Sequence, residues 1–142
     1  MRPSLLAGLG AGLATGAWMF GEYALGLHDS PSGAGRWTGF LSLIFPLAGA
    51  YWLAKKAAGR AWTHVLGEGL IFGATGGVVG GLAIYVYFAF VNPGFTVGGR
   101  EVDAVAQAVA GFGGSLVLGL VLTLAMYLAV GRRTKAGQAG NR

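Results

Sequence analysis

Cysteine is absent from the 142 residues, which excludes disulfides, thiolate metal sites and cysteine nucleophiles. Charge is scarce too. Asp, Glu, Lys and Arg make up 11% of the chain, against about 25% in soluble domains. So few charges cannot build a water-facing surface around the apolar sequence between them. Long polar stretches are also missing, which leaves no room for a separate soluble domain, and residues 1–142 read as one unit. No serine stands in a His-and-acid arrangement suited to nucleophilic catalysis. The chain is therefore expected to be no enzyme, and nothing in it implies a cofactor.

What is present is apolar. The hydrophobic fraction is 54%, concentrated in four stretches at about 4–27, 37–54, 62–91 and 110–131. A helix needs about 20 apolar residues to cross a bilayer core of about 30 Å. The expected fold class is all-α, an integral membrane bundle of four transmembrane helices. An N-terminal signal peptide is disfavoured, because the first apolar run continues past about 20 residues without a small-x-small cleavage site.

The net charge of +5 would suggest nucleic acid in a soluble protein, but its distribution points elsewhere. Arg2, Lys55, Lys56, Arg60, Arg132, Arg133, Lys135 and Arg142 share one side of any four-span topology; only Arg36 and Arg100 fall on the other. Basic residues in short loops stay cytoplasmic, so both termini are expected inside. The aromatic residues agree: Tyr51, Trp52, Trp62 and Tyr127 at the inner boundary, Tyr23, Trp37, Tyr85 and Tyr87 toward the outer one. The expected partners are membrane lipids, with anionic headgroups at the cytoplasmic basic cluster, and no nucleic acid.

Small residues suggest how the spans pack. Lipid tails are as apolar as leucine, so membrane helices associate through close packing at small residues. Gly8, Gly12 and Gly16 stack on one face of the first span. Gly69, Gly73, Gly77 and Gly81 do so in the third, with Gly76 and Gly80 alongside, and Gly111, Ser115, Gly119 and Thr123 in the fourth. This glycine-zipper spacing fits packing within the chain, a membrane protein partner or a homo-oligomer. Glycines on two adjacent faces would let the third span sit centrally. Pro46 should kink the second span.

Three ionisable groups lie in or near the spans: Glu22, His64 and Glu68. His64 and Glu68 are four apart on one helix face, which suits a proton or cation relay. Two ligands are too few for a metal. Counting about 20 residues back from Val91 puts the membrane boundary near Phe72, so both read as an interfacial anchor. Thr63 is expected to cap that turn, and Glu68 to reach Lys55, Lys56 or Arg60. Glu22 reads as a tether to Arg36 or Arg100, because a lone carboxylate makes a poor transport pathway. His28 to Gly33 read as a short turn. Past the third span, residues 100–110 carry Val102, Val105, Ala106 and Val109 at helical spacing, which predicts a short outer-surface helix before the fourth span.

The run Ile84-Tyr85-Val86-Tyr87-Phe88 through Asn92-Pro93-Gly94-Phe95, with Trp62 to Gly69 before it, resembles the signature of a bacterial four-span family. That family is catalogued as domain of unknown function four-one-nine-nine. Its members carry a lysine-containing inner loop, an acid at the start of span three and this tyrosine-rich exit. The resemblance covers residues 40 to 131 or so. It implies a four-helix fold in the bacterial inner membrane and no particular activity; this chain departs from it in being shorter and richer in glycine. The expected function is a small non-enzymatic accessory or scaffold subunit packing through its glycine faces. The alternative is a small transporter or channel using Glu22, or His64 with Glu68, as ion-handling groups.

Overall fold

The computed structural model describes residues 1–27, 34–97 and 99–139, with side chains except at 34–36, 97 and 131–139. It is an all-α bundle in which Pro3–Ala24, Trp37–Lys56, Trp62–Val91 and Ala104–Val130 are each long and apolar enough to cross a bilayer. The first span is α1 (Pro3–Ala24), with proline in its first turn, where a missing N–H does no harm. It ends in a Schellman motif: Gly26 takes φ +67°, Leu27 N–H donates to the Glu22 carbonyl, and Gly26 N–H to that of Tyr23.

The second span is two helices, α2 (Ala34–Leu41) and α3 (Ile44–Lys56). The break falls at Ser42 and Leu43, one turn before Pro46. Pro46 has no N–H to give the Ser42 carbonyl and its ring crowds that oxygen. Phe45 N–H bonds it instead at 3.2 Å. The third span is α4 (Trp62–Val86) continued by a π-helical turn, Tyr87–Val91, closed by Asn92 N–H donating to the Tyr87 carbonyl at 2.8 Å. Its N-cap is Ala61, without a side-chain bond. The expected Thr63 cap is thus corrected: Thr63 lies inside the first turn, where its hydroxyl cannot reach the leading N–H groups.

A short antiparallel pair follows, β1 (Thr96–Val97) and β2 (Arg100–Glu101). The fourth span, α5 (Ala104–Ala139), is one continuous helix. The separate surface helix expected over 100–110 is therefore corrected. Residues 100–101 are extended, and the Asp103 Oδ1 accepts from Val105 N–H at 2.8 Å and Ala106 N–H at 3.0 Å. That cap starts a helix which no proline interrupts before it has crossed the bundle.

The helices form a ring. α4 packs on α1 and on α5; α3 packs on α1 and α5; α1 lies diagonal to α5, and α3 to α4. Along α4 and α1 the chains run parallel. A Cβ on Gly8 would meet Phe72 O and Thr75, one on Gly12 would meet Gly76 O and Val79, and one on Gly16 would meet Ala83, all at 2.7–2.9 Å. On its other face α4 runs antiparallel to α5, with Gly69 against Thr123, Gly73 against Ser115, Gly77 against Phe112 and Gly81 against Ala108. Such close backbone approach gains dispersion contacts that lipid cannot match.

The end holding Met1 and the 57–61 turn, here the basic end, has a filled interior. Ala50, Leu53 and Phe72 are buried there, packed by Ala7, Ala11, Leu122 and Met126. Tyr127 Oη donates to the Arg60 carbonyl and ties α5 to that turn. At the opposite end Tyr87 is 1% exposed, set edge-on to Phe20, Tyr23 and Phe88. Tyr87, expected toward the outer boundary, lies at the end opposite the basic one with its ring inside the bundle.

Candidate functional site

Above the Phe72 layer the interior is not filled. A cavity of about 310 Å³ lies between all four spans, running along α1 from Ala11 to Glu22, about 16 Å at 1.5 Å per residue. One missing side chain contributes to it. Gly76, Gly80, Gly111 and Gly119 line it; a Cβ on Gly80 would meet nothing within 4 Å among the described residues, whereas one on Gly111 would meet Ile84 and one on Gly119 would meet Gly73. The break at Ser42 contributes as well: α2 makes at most slight contact with α5 among the described residues, and packing between spans two and four is carried by α3.

The lining is mainly apolar, with Phe72 as its floor, and carries hydroxyls from Thr15, Ser42 and Ser115 and one carboxylate, Glu22. Glu22 is 6% exposed. It is brought there by the stripe Ala11, Thr15, Trp18, Glu22, which recurs at helical spacing on one face of α1. Two bonds hold the wall in shape: Trp18 Nε1 donates to the Thr38 carbonyl at 3.1 Å, joining α1 to α2, and Ser42 Oγ donates to the Gly39 carbonyl at 2.7 Å across the helix break. Trp18 also packs on Phe45, with centroids 6.2 Å apart.

The residues singled out from the sequence fall in three places. Glu22, Ser115, Gly12, Gly16, Gly73, Gly111 and Gly119 line the cavity; Gly8, Gly69, Gly77 and Gly81 lie at helix contacts outside it. His64 and Glu68 sit together at the basic end, His64 Nε2 being 3.8 Å from Glu68 Oε1 and 3.4 Å from Arg60 Nη1. One ring nitrogen faces both groups. When unprotonated it accepts from Arg60; when protonated it is drawn to Glu68. Lys55 and Lys56 lie instead over the rings of Tyr51 and Trp52, at 5.7 and 5.9 Å from the centroids. The expected reach from Glu68 to a cation is therefore through His64 to Arg60, not to the lysines.

Arg100 is exposed, while the Arg36 side chain and residues 28–33 lie outside the described residues, as do the side chains of Arg132, Arg133 and Lys135. Among the described residues no three His, Cys, Asp or Glu side chains gather as a metal site. Thr15, Ser42 and the cavity itself were not anticipated. The available signals were Gly80, a glycine beyond those a helix contact needs, and the spacing of Thr15 and Glu22, seven residues apart on one face.

No curated protein and no solved structure matches the chain. A family model matches residues 6–98, which takes in the first three spans and stops before α5; the resemblance read from residue 40 onward thus extends back through span one. The matched family is described as "Protein of unknown function (DUF4199)", and by this match over more than half its length the chain belongs to it.

Proposed function

We propose that this protein is a non-enzymatic, ligand-binding protein of the bacterial cytoplasmic membrane, oriented with its basic end in the cytoplasm and its cavity open toward the outer half of the bilayer. The observation that carries the reading is the cavity of about 310 Å³ between the four spans, with Glu22 buried at one end. Ligand sites are concave and mostly apolar, with few polar groups to orient the occupant, and begin at about 300 Å³. The filled Phe72 layer closes the site on the basic side, which favours holding a ligand over conducting an ion.

Filling the cavity tests this. Gly80→Leu adds a side chain where a Cβ meets nothing, so the fold should survive while the site is lost. Native mass spectrometry of the protein from membranes should show a small-molecule adduct on the wild type and none on Gly80→Leu. The same spectrum for both, at equal stability, would discard the reading.

An accessory or scaffold role, toward a second membrane protein or a second copy, is the alternative. The glycine rows of α4 that suggested it lie against α1 and α5. What favours it now is open space beside Gly10 and Gly114, both exposed. A strict monomer in mild detergent that brings down no protein would count against it.

A further inference from the structure

We infer that the occupant of this cavity is an uncharged chain of about twelve non-hydrogen atoms carrying one hydroxyl or carbonyl group near its middle; the inference rests on the ligand-binding reading above. Size and shape come first. A dry cavity of about 150 Å³ takes one benzene ring, so about 310 Å³ holds roughly twice as many atoms. The lining residues run from Ala11 to Glu22 on α1 and from Phe72 to Ile84 on α4, about 16 and 18 Å along the helices. Drawn out over that length, the volume has the shape of a single chain and not of two rings side by side.

Charge is excluded by the engagement of the one carboxylate. Glu22 is the only charged residue among those that line the cavity. It is 6% exposed and has an interaction of its own within the protein. A charged ligand would give up its hydration without gaining a counter-ion. Hydrogen bonding then places the polar group. Trp18 Nε1 and Ser42 Oγ already donate to the Thr38 and Gly39 carbonyls. The Thr15 and Ser115 hydroxyls, each a donor and an acceptor, have no such bond among the described residues. They stand at neighbouring depths. Ser115 Cβ lies 3.2 Å from where a Cβ on Gly77 would stand, and Thr15 lies between Gly12, which faces Val79, and Gly16, which faces Ala83. Those levels are about one turn apart on α4 and fall midway between Phe72 and Ile84. A chain that fills the cavity meets the two hydroxyls with a group near its middle, not at its end.

The test uses the full-length protein in zwitterionic nanodiscs, with Trp37, Trp52 and Trp62 changed to Phe so that the cavity-lining Trp18 reports alone. 6-Undecanol, 1-undecanol, undecane, 6-undecanamine and 8-pentadecanol are titrated, each affinity being referred to the mole fraction of probe in the membrane so that partitioning cancels. 6-Undecanol should bind about three- to ten-fold tighter than undecane, the worth of one hydrogen bond. It should bind about ten-fold or more tighter than the protonated amine, equivalent to ~1.4 kcal/mol, and tighter than 1-undecanol and 8-pentadecanol. Thr15→Val with Ser115→Ala should bring 6-undecanol down to the level of undecane, whose own binding stays unchanged, and Gly80→Leu should abolish binding of both. An amine that binds as tightly as the alcohol would overturn the exclusion of charge. Undecane or 1-undecanol matching 6-undecanol, or a preference over undecane that survives the double change, would overturn the polar group or its position. 8-Pentadecanol matching 6-undecanol would overturn the length. Each of these results leaves the cavity reading standing, whereas no saturable binding of any probe would remove both the inference and the reading beneath it.

Discussion

A methyl group placed on Gly73 would lie 2.6 Å from the Ser115 carbonyl oxygen and 2.9 Å from Leu116 Cα, while one placed on Gly80, two turns further along α4, would touch nothing. The two glycines are alike in sequence and opposite in constraint. At Gly73 the obstructing atoms are backbone, so α4 and α5 must separate to admit a side chain. Gly73→Ala should destabilise the bundle by about 1–3 kcal/mol, the usual range for overpacking, and Gly80→Ala should stay within about 0.5 kcal/mol. Reversible unfolding in mixed micelles reads both, and equal losses would refute the packing account. Sequence spacing revealed that Gly69, Gly73, Gly77 and Gly81 share a face. It could not distinguish a glycine needed for contact from one that leaves a void, because that depends on which helix stands opposite. His64 and Glu68 were legible as a pair for the simpler reason that four residues along a helix bring side chains together whatever the fold.

At the scale of the element, the second span shows how one residue sets a local shape with wider consequences. Pro46 announced a bend. That the bend becomes a break at Ser42 and Leu43 follows from the crowded carbonyl one turn earlier, and the Trp18 bond to Thr38 holds α2 against α1. Pro46→Ala restores the missing N–H and should let α2 and α3 join into one helix. Because the chain has no cysteine, nitroxides can be attached at Thr38→Cys and Val109→Cys without further changes. Their distance distribution by electron–electron resonance should move when Pro46 is replaced, and an unmoved distribution would mean that the proline does not hold the break. Two other features were illegible for definite reasons. The π turn at Tyr87–Val91 differs from α-helix by one hydrogen-bond step, which leaves no compositional mark. The helical periodicity of residues 102–109 was genuine, but periodicity marks a face and not an end, so it could not tell a separate surface helix from the first turns of α5.

For the whole molecule, the four-span architecture was plain from the apolar runs because their length answers directly to bilayer thickness. The ring order was not, since spans two and three are consecutive yet diagonal, and nothing local encodes which helices become neighbours. Orientation is a further whole-molecule property, and charge governs it. By their position in the sequence, eight of the ten basic residues fall on the side of the span ends that carries Met1 and the 57–61 turn, and in the proposed orientation each would be drawn to the anionic cytoplasmic leaflet by about 1 kcal/mol. Single cysteines at Lys56 and Glu101, at opposite ends of the bundle, should therefore react from opposite sides with a membrane-impermeant maleimide: Glu101→Cys in intact cells, Lys56→Cys only after permeabilisation. Changing Lys55, Lys56 and Arg60 to Gln leaves five basic residues against two, so Glu101→Cys should still label from outside. Neutralising Arg132, Arg133 and Lys135 as well leaves two against two, and the population should then divide between orientations, with partial labelling of Glu101→Cys. Full outside labelling after all six changes would show that the order of insertion, and not the charge difference, decides which way the bundle faces.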